Sequence, residues 1–243
     1  MKIAIDIETI PDQSENAIDE IMETLVVKAP DLTKPKLIEL LGLDPKAGKF
    51  KTVPELKELW LSTNEHTAKR EQAEQKWLKT SFDGAKGQIC GICISFIGVD
   101  SECVYKFSGD EKEILTELNN AIFDKSKSEA TKPYFIGHNS ISFDIPFLHK
   151  RFIINKIKPK FELVAHGKHN YTAFDTMTEW AGFGQRISMD NLAKAIGVSG
   201  KTEGMDGSQV WPEYQKGNID KIMDYCADDV LCTKYIYKRL TFS

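Results

Sequence analysis

The sequence lacks three things: a long apolar run, an even set of cysteines and an excess of basic charge. No apolar stretch approaches the roughly 18 residues that a membrane span needs, so no membrane partner is expected. The opening MKIAIDIET turns acidic within a few residues and has no apolar signal core, which leads to the expectation of a cytoplasmic protein. Five cysteines in 243 residues fit reduced thiols better than a disulfide framework. Lys plus Arg total 32 against 36 Asp plus Glu, a net charge of −4. That balance provides no global field for gripping a nucleic-acid duplex. What is present is ordered-domain material: 41% hydrophobic, 28% charged and 10% aromatic residues. The length suits one large domain, residues 1–243.

Residues 2–7 are Ile-rich and alternate as a strand does. From about 12 to 87 the chain turns Lys/Glu-rich and helical. Pro35 opens a short helix that Gly42 closes, and Pro54 opens a long one over 54–79 with Leu56, Leu59, Trp60 and Trp77 on its inward face. Strand character returns at 88–99 and 103–107, with Asp100 and Ser101 as the hairpin turn. A helix is expected over 110–123, a buried strand over 133–137, and helices over 145–155, 174–181, 189–196 and 219–239. Interleaved strands and helices predict an α/β fold with a helical insertion after the first strand.

Three clusters of acids stand out. Asp6 and Glu8 lie two apart at a strand end, so both carboxylates point to one face and repel unless a cation joins them. By itself D-x-E also suits a solvated strand end. Asp144 is embedded between Phe143 and the Ile145-Pro146-Phe147 run, where an acid is rare unless paired or metal-bound. It is equally well placed to cap a helix. In DYCADDV, Tyr225 and Asp229 are four apart and share a helix face, while Asp228 is rotated by about 100°. An exposed amphipathic helix would read the same way.

Taken in order, DIET at Asp6, N-S-x-S-F-D from Asn139 to Asp144, and Y-x-x-x-D from Tyr225 to Asp229 resemble the DEDD superfamily of 3′–5′ exonucleases. The strings DIETIPD and YCADDV are similar to stand-alone exonucleases related to the proofreading domain of family B DNA polymerases. The tyrosine four residues before the last acid resembles the DEDDy subtype. The resemblance implies a ribonuclease H-like mixed sheet flanked by helices. It further implies two divalent ions, Mg²⁺ or Mn²⁺, held by Asp6, Glu8, Asp144 and Asp229, with Tyr225 orienting the attacking water. Thr9, Asn139, Ser140, Phe143, Lys150 and Arg151 are the substrate contacts it suggests. The implied partner is a nucleic-acid 3′ end, with single-stranded DNA as substrate and replication or repair proteins as possible company. An exoribonuclease of the same fold and a non-catalytic nucleic-acid-binding module are the alternatives. Asp175, in FDTM, falls where relatives often carry a helix acid.

Other signals compete. AIGVSGKT, ending at Thr202, fits a loose phosphate-loop pattern, but a helix precedes it where a strand is required. Cys90 and Cys93 form CGIC without a second pair for zinc, and suit a strand core. His166 and His169 fall in a polar loop. Residues 149–160 hold Lys150, Arg151, Lys156, Lys158 and Lys160 with no acid, either a solvated helix face or an edge that tracks phosphates.

Overall fold

The structure, a computed structural model, describes residues 1–98, 103–163, 173–198 and 205–243. The turn at Asp100 and Ser101, the Gly200-Lys201-Thr202 end of the phosphate-loop-like string, and His166 and His169 lie outside the described residues. The elements run β1 (Lys2–Ile10), α1 (Ala17–Thr24), α2 (Lys34–Leu40), α3 (Pro45–Gly48), α4 (Val53–Leu78), β2 (Gln88–Ile97), β3 (Tyr105–Ser108) and α5 (Glu111–Glu129). There follow β4 (Tyr134–Gly137), α6 (Asp144–Ile154), β5 (Ala173–Asp175), α7 (Thr176–Ala181), α8 (Met189–Ala195), α9 (Val210–Gln215) and α10 (Ile219–Thr241).

These elements form two compact units: Gln13–Lys79, and Met1–Asp12 together with Thr80–Ser243. The first is helical. Leu37, Ile38 and Leu56 make its small core, and α4 begins with a capping box in which Thr52 and Glu55 satisfy each other's backbone amides. Of the side chains expected inward on α4, Leu56 is buried, while Leu59, Trp60 and Trp77 are half-buried.

The second unit is built on a five-stranded sheet of order β3-β2-β1-β4-β5. β2 pairs antiparallel with β1 and β3, while β4 runs parallel to β1 and β5. This mixed sheet flanked by helices is the ribonuclease H-like α/β architecture. Strand alternation divides β1 between two layers. Ile3, Ile5 and Ile7 enter a core with Ile114, Leu118, Phe147 and Phe152 from α5 and α6. Ala4 faces the opposite layer, where Met223, Cys226, Ala227 and Val230 of α10 cover the sheet. Asp6 and Glu8 continue on that α10 side.

The structure corrects one element. Residues 173–175 begin not a helix but β5, whose register is Phe135↔Ala173, Ile136↔Phe174 and Gly137↔Asp175. Three residues carry no readable period, and β4 supplies the hydrogen bonds that make them a strand. Cys90 and Cys93 are buried in β2, their thiols donating to the carbonyls of Glu8 and Met223. Among the described residues no helix is long and apolar enough to cross a membrane.

Candidate active site

The site begins where β1 outruns β4. Their pairing ends at Ala4↔Ile136, which leaves the Ile7 amide without a strand partner on that side. The Asp144 carboxylate takes it: Oδ1 accepts from Ile7 N at 3.2 Å. That amide lies between Asp6 and Glu8, so one hydrogen bond brings the second acidic motif against the first. Asp144 is the first residue of α6, and Phe143 holds the cap position. Its buried carboxylate therefore serves β1 rather than capping its own helix.

On the other layer α10 lies close to the sheet because position 91, opposite Glu8 in the register, is glycine. A β-carbon there would stand 2.5 Å from Met223 Sδ. The Cys226 thiol donates to the Asp6 carbonyl at 3.5 Å. One ligand atom each from Asp6, Glu8 and Cys226 lie within 4.8 Å of one another. Asp229, one turn beyond Tyr225, is buried and hydrogen-bonded to the Tyr225 hydroxyl. Asp228 turns away, close enough to Lys106 on β3 to favour its charged form.

The electrostatics follow from the same convergence. Burial raises the Tyr225 phenol above its ordinary range, and the charges of Asp229, Glu8 and Asp6 raise it further. One phenol thus senses three carboxylates from both ends of the chain. Burial pushes the Asp144 carboxyl up to about 7; its bonds to its own amide and to Ile7 oppose this, and the negative charges of Asp175 and Asp229 add to it. Hard oxygen donors drawn together at such cost suit a divalent cation.

The turn that delivers Asp144 is held by an acid whose role the sequence did not disclose. Asp175 Oδ1 accepts from Asn139 N at 2.9 Å, and Oδ2 from Ile141 N at 3.1 Å. The same carboxylate caps α7 through Met177 N and Thr178 N. Asn139 adopts a left-handed φ of 64° at this turn, a conformation asparagine tolerates better than most residues.

The expected substrate contacts divide. Asn139 is half-buried at the turn, and half-buried Phe143 packs against Phe147 and the largely exposed Phe82. Thr9 gives its hydroxyl to the Ser81 carbonyl at 2.8 Å. Ser140 is fully buried, so its side chain lies away from any solvent-borne strand. Arg151 requires correction. It is 5% exposed, and its Nε and Nη2 donate to the two Glu111 oxygens at 2.8 and 2.7 Å. Glu111 also accepts from Ile89 N and Asn155 Nδ2, so the pair joins α5, β2 and α6 inside the protein. Lys150 remains exposed but pairs with Asp83 at 3.2 Å. Arg151 is therefore withdrawn from the basic run over 149–160, its charge neutralised by an acid 40 positions earlier.

A family model described as a predicted 3′–5′ exonuclease related to the exonuclease domain of PolB matches residues 86–243, more than half of the chain. The matched stretch contains Asp144, Tyr225 and Asp229 and stops short of β1. No curated protein matches the chain.

Proposed function

The chain belongs to this exonuclease family, and on that footing we propose that it removes nucleotides from the 3′ end of single-stranded DNA using two divalent ions, Mg²⁺ or Mn²⁺. Asp6, Glu8, Asp144 and Asp229 are the residues that would hold them. Divalent ions held there would supply charge to activate a water and to stabilise a leaving 3′ oxygen. The observation that carries this reading is the placement of Tyr225 among Asp6, Glu8 and Asp229, with Asp144 fastened to the amide between the first two. β1 lies outside the stretch matched to the family, yet its pairing with β2 and β4 puts its two acids beside those of the matched region.

Each residue then has a task its environment suits. Tyr225 keeps its proton far above neutral pH, so it orients a water by hydrogen bonding and is not the base. Asp144 is held partly protonated by burial and gives up that proton when positive charge arrives beside it. Asp175 fixes the turn that carries Asn139 toward the strand end.

The test is a side-by-side digestion of 5′-labelled single-stranded DNA and RNA of one sequence, with Mn²⁺ or with EDTA. A ladder shortening from the 3′ end of the DNA, present only with metal, is expected. Internal cuts, or digestion that persists in EDTA, would overturn the reading; selective loss of the RNA would overturn the choice of substrate.

A further inference from the structure

With Arg151 buried and Lys150 paired, the strand needs another cationic contact beside the reaction centre. A cavity of about 360 Å³ opens next to the catalytic turn, lined by His138, Asn139, Met177, Arg186, Ile187 and Ser188. Its size falls within the range of small-ligand pockets. His138 stiffens the wall, its two ring nitrogens bonded to Thr176 Oγ1 and the Ile187 carbonyl, each at 2.9 Å. Asn139 belongs both to this cavity and to the turn that delivers Asp144, so the cavity adjoins that turn.

Arg186 is exposed and makes no ion pair among the described residues. Three residues earlier, Phe183 is 86% exposed. The loop that carries it is a tight turn, Gln185 N donating to the Gly182 carbonyl at 3.2 Å. Gly182 and Gly184 have φ of 87° and 78°, and a β-carbon on either would meet nothing within 4 Å. Glycine is there for backbone conformation, not for packing, and the conformation puts Phe183 at the tip of the turn. A large ring left in water three residues before an arginine that lines the cavity, and that pairs with no acid among the described residues, is the equipment for one base and its phosphate.

We infer that the loop over residues 182–188 is a strand-binding subsite, in which Arg186 holds a phosphate at the mouth of the cavity and Phe183 stacks on a base of the single strand. The inference rests on the nucleic-acid reading of the neighbouring carboxylates. The subsite is sequence-tolerant, since every base offers a ring face and every linkage a phosphate. It grips the strand and leaves the chemistry to the carboxylates.

The experiment uses the whole protein and fluorescein-labelled dT20 in EDTA, with affinity read by anisotropy at several salt concentrations. Phe183→Ala is expected to weaken binding roughly 5- to 150-fold with the salt dependence unchanged, as for the loss of one stacked base. Arg186→Gln should lower the magnitude of the log K against log [salt] slope by about 0.7, one phosphate contact on a single strand. Arg186→Lys should restore the slope. Both side chains are exposed, so the melting temperatures should match the wild type, which separates lost contact from lost fold. If both variants bind dT20 as the wild type does, with the wild-type slope, the inference is wrong. Wild-type digestion of the strand in Mn²⁺ is run alongside. Its failure would sink the exonuclease reading itself, whereas digestion with unaltered binding by the variants sinks only the subsite.

Discussion

Replacing Asp144 with asparagine should stabilise the metal-free protein at alkaline pH while destroying its activity. The substituted amide would keep the acceptor for Ile7 N but never carries charge. In the wild type, burial and the nearby acids raise this carboxyl from an ordinary 3.8 to about 7. The folded state therefore holds the proton more tightly than the unfolded state does. Its contribution to stability is full below about pH 4 and declines as pH rises toward 7, beyond which the slope vanishes. The span between those values corresponds to about 4 kcal/mol. From this must be set the amide's extra donors in a buried place, a cost of about 1–3 kcal/mol that does not vary with pH. The variant should accordingly be a little less stable than the wild type near pH 4 and more stable at pH 8.

Urea unfolding in EDTA from pH 4 to 8 measures this directly. The quantity to follow is the difference between the two stabilities, because titrations of groups that do not interact with Asp144 cancel in it. A difference that swings by several kcal/mol in favour of the variant supports the account. Two parallel profiles would refute it, since they would mean that Asp144 carries no buried charge. Adding Mn²⁺ at pH 8 should raise the wild-type melting temperature more than that of Asp144→Asn, because the variant offers the ion one carboxylate fewer.

Tyr225→Phe should slow strand digestion by roughly ten- to a thousand-fold while leaving the Mn²⁺-induced rise in melting temperature in place; loss of that rise would make Tyr225 part of the metal site. Arg151→Met strands the buried Glu111 carboxylate and should cost about 3–5 kcal/mol in urea unfolding, with much of it recovered in Arg151→Met/Glu111→Gln; a near-neutral single variant would show that the pair is not closed to water. Cadmium entering between Asp6 and Glu8 meets the Cys226 thiol within 4.8 Å, so the wild type should develop a sulfur-to-cadmium charge-transfer absorption that Cys226→Ala abolishes. An identical spectrum from the variant would place the thiol outside the reach of the ion.

Much of the sheet was legible because its strands are distinctive in themselves. β1 and β2 are dense in isoleucine, β4 is bounded by Pro133 and Gly137, and the three acidic clusters lie at the ends or faces of elements the sequence marks clearly. The turning of Asp228 away from Asp229 followed from helix geometry alone. What escaped reading depended on partners distant in sequence. β5 is a strand only because β4 runs beside it. Arg151 looked available because its neighbours in sequence are basic, whereas its neighbours in space include Glu111. Asp175 could be seen as an acid at a helix start, but that it also holds two amides of the turn before Asp144 is a fact about β4 and β5 lying together. Arg186 and Phe183 sit in a glycine-rich loop without a motif, and only their exposure beside a cavity singles them out.

The bond from Cys226 to the Asp6 carbonyl joins residues 220 positions apart. During synthesis β1 emerges early and waits for most of the chain before α10 can cover it. Until then Asp6 and Glu8 have neither Tyr225 nor Asp229 beside them, and closing so long a loop is among the slower and costlier events of folding. A nascent or truncated chain lacking α10 thus holds Asp6, Glu8 and Asp144 but neither Tyr225 nor Asp229, and the proposed site is incomplete. For a protein whose proposed activity would damage the nucleic acids around it, this topology makes completion of the fold the condition for becoming dangerous.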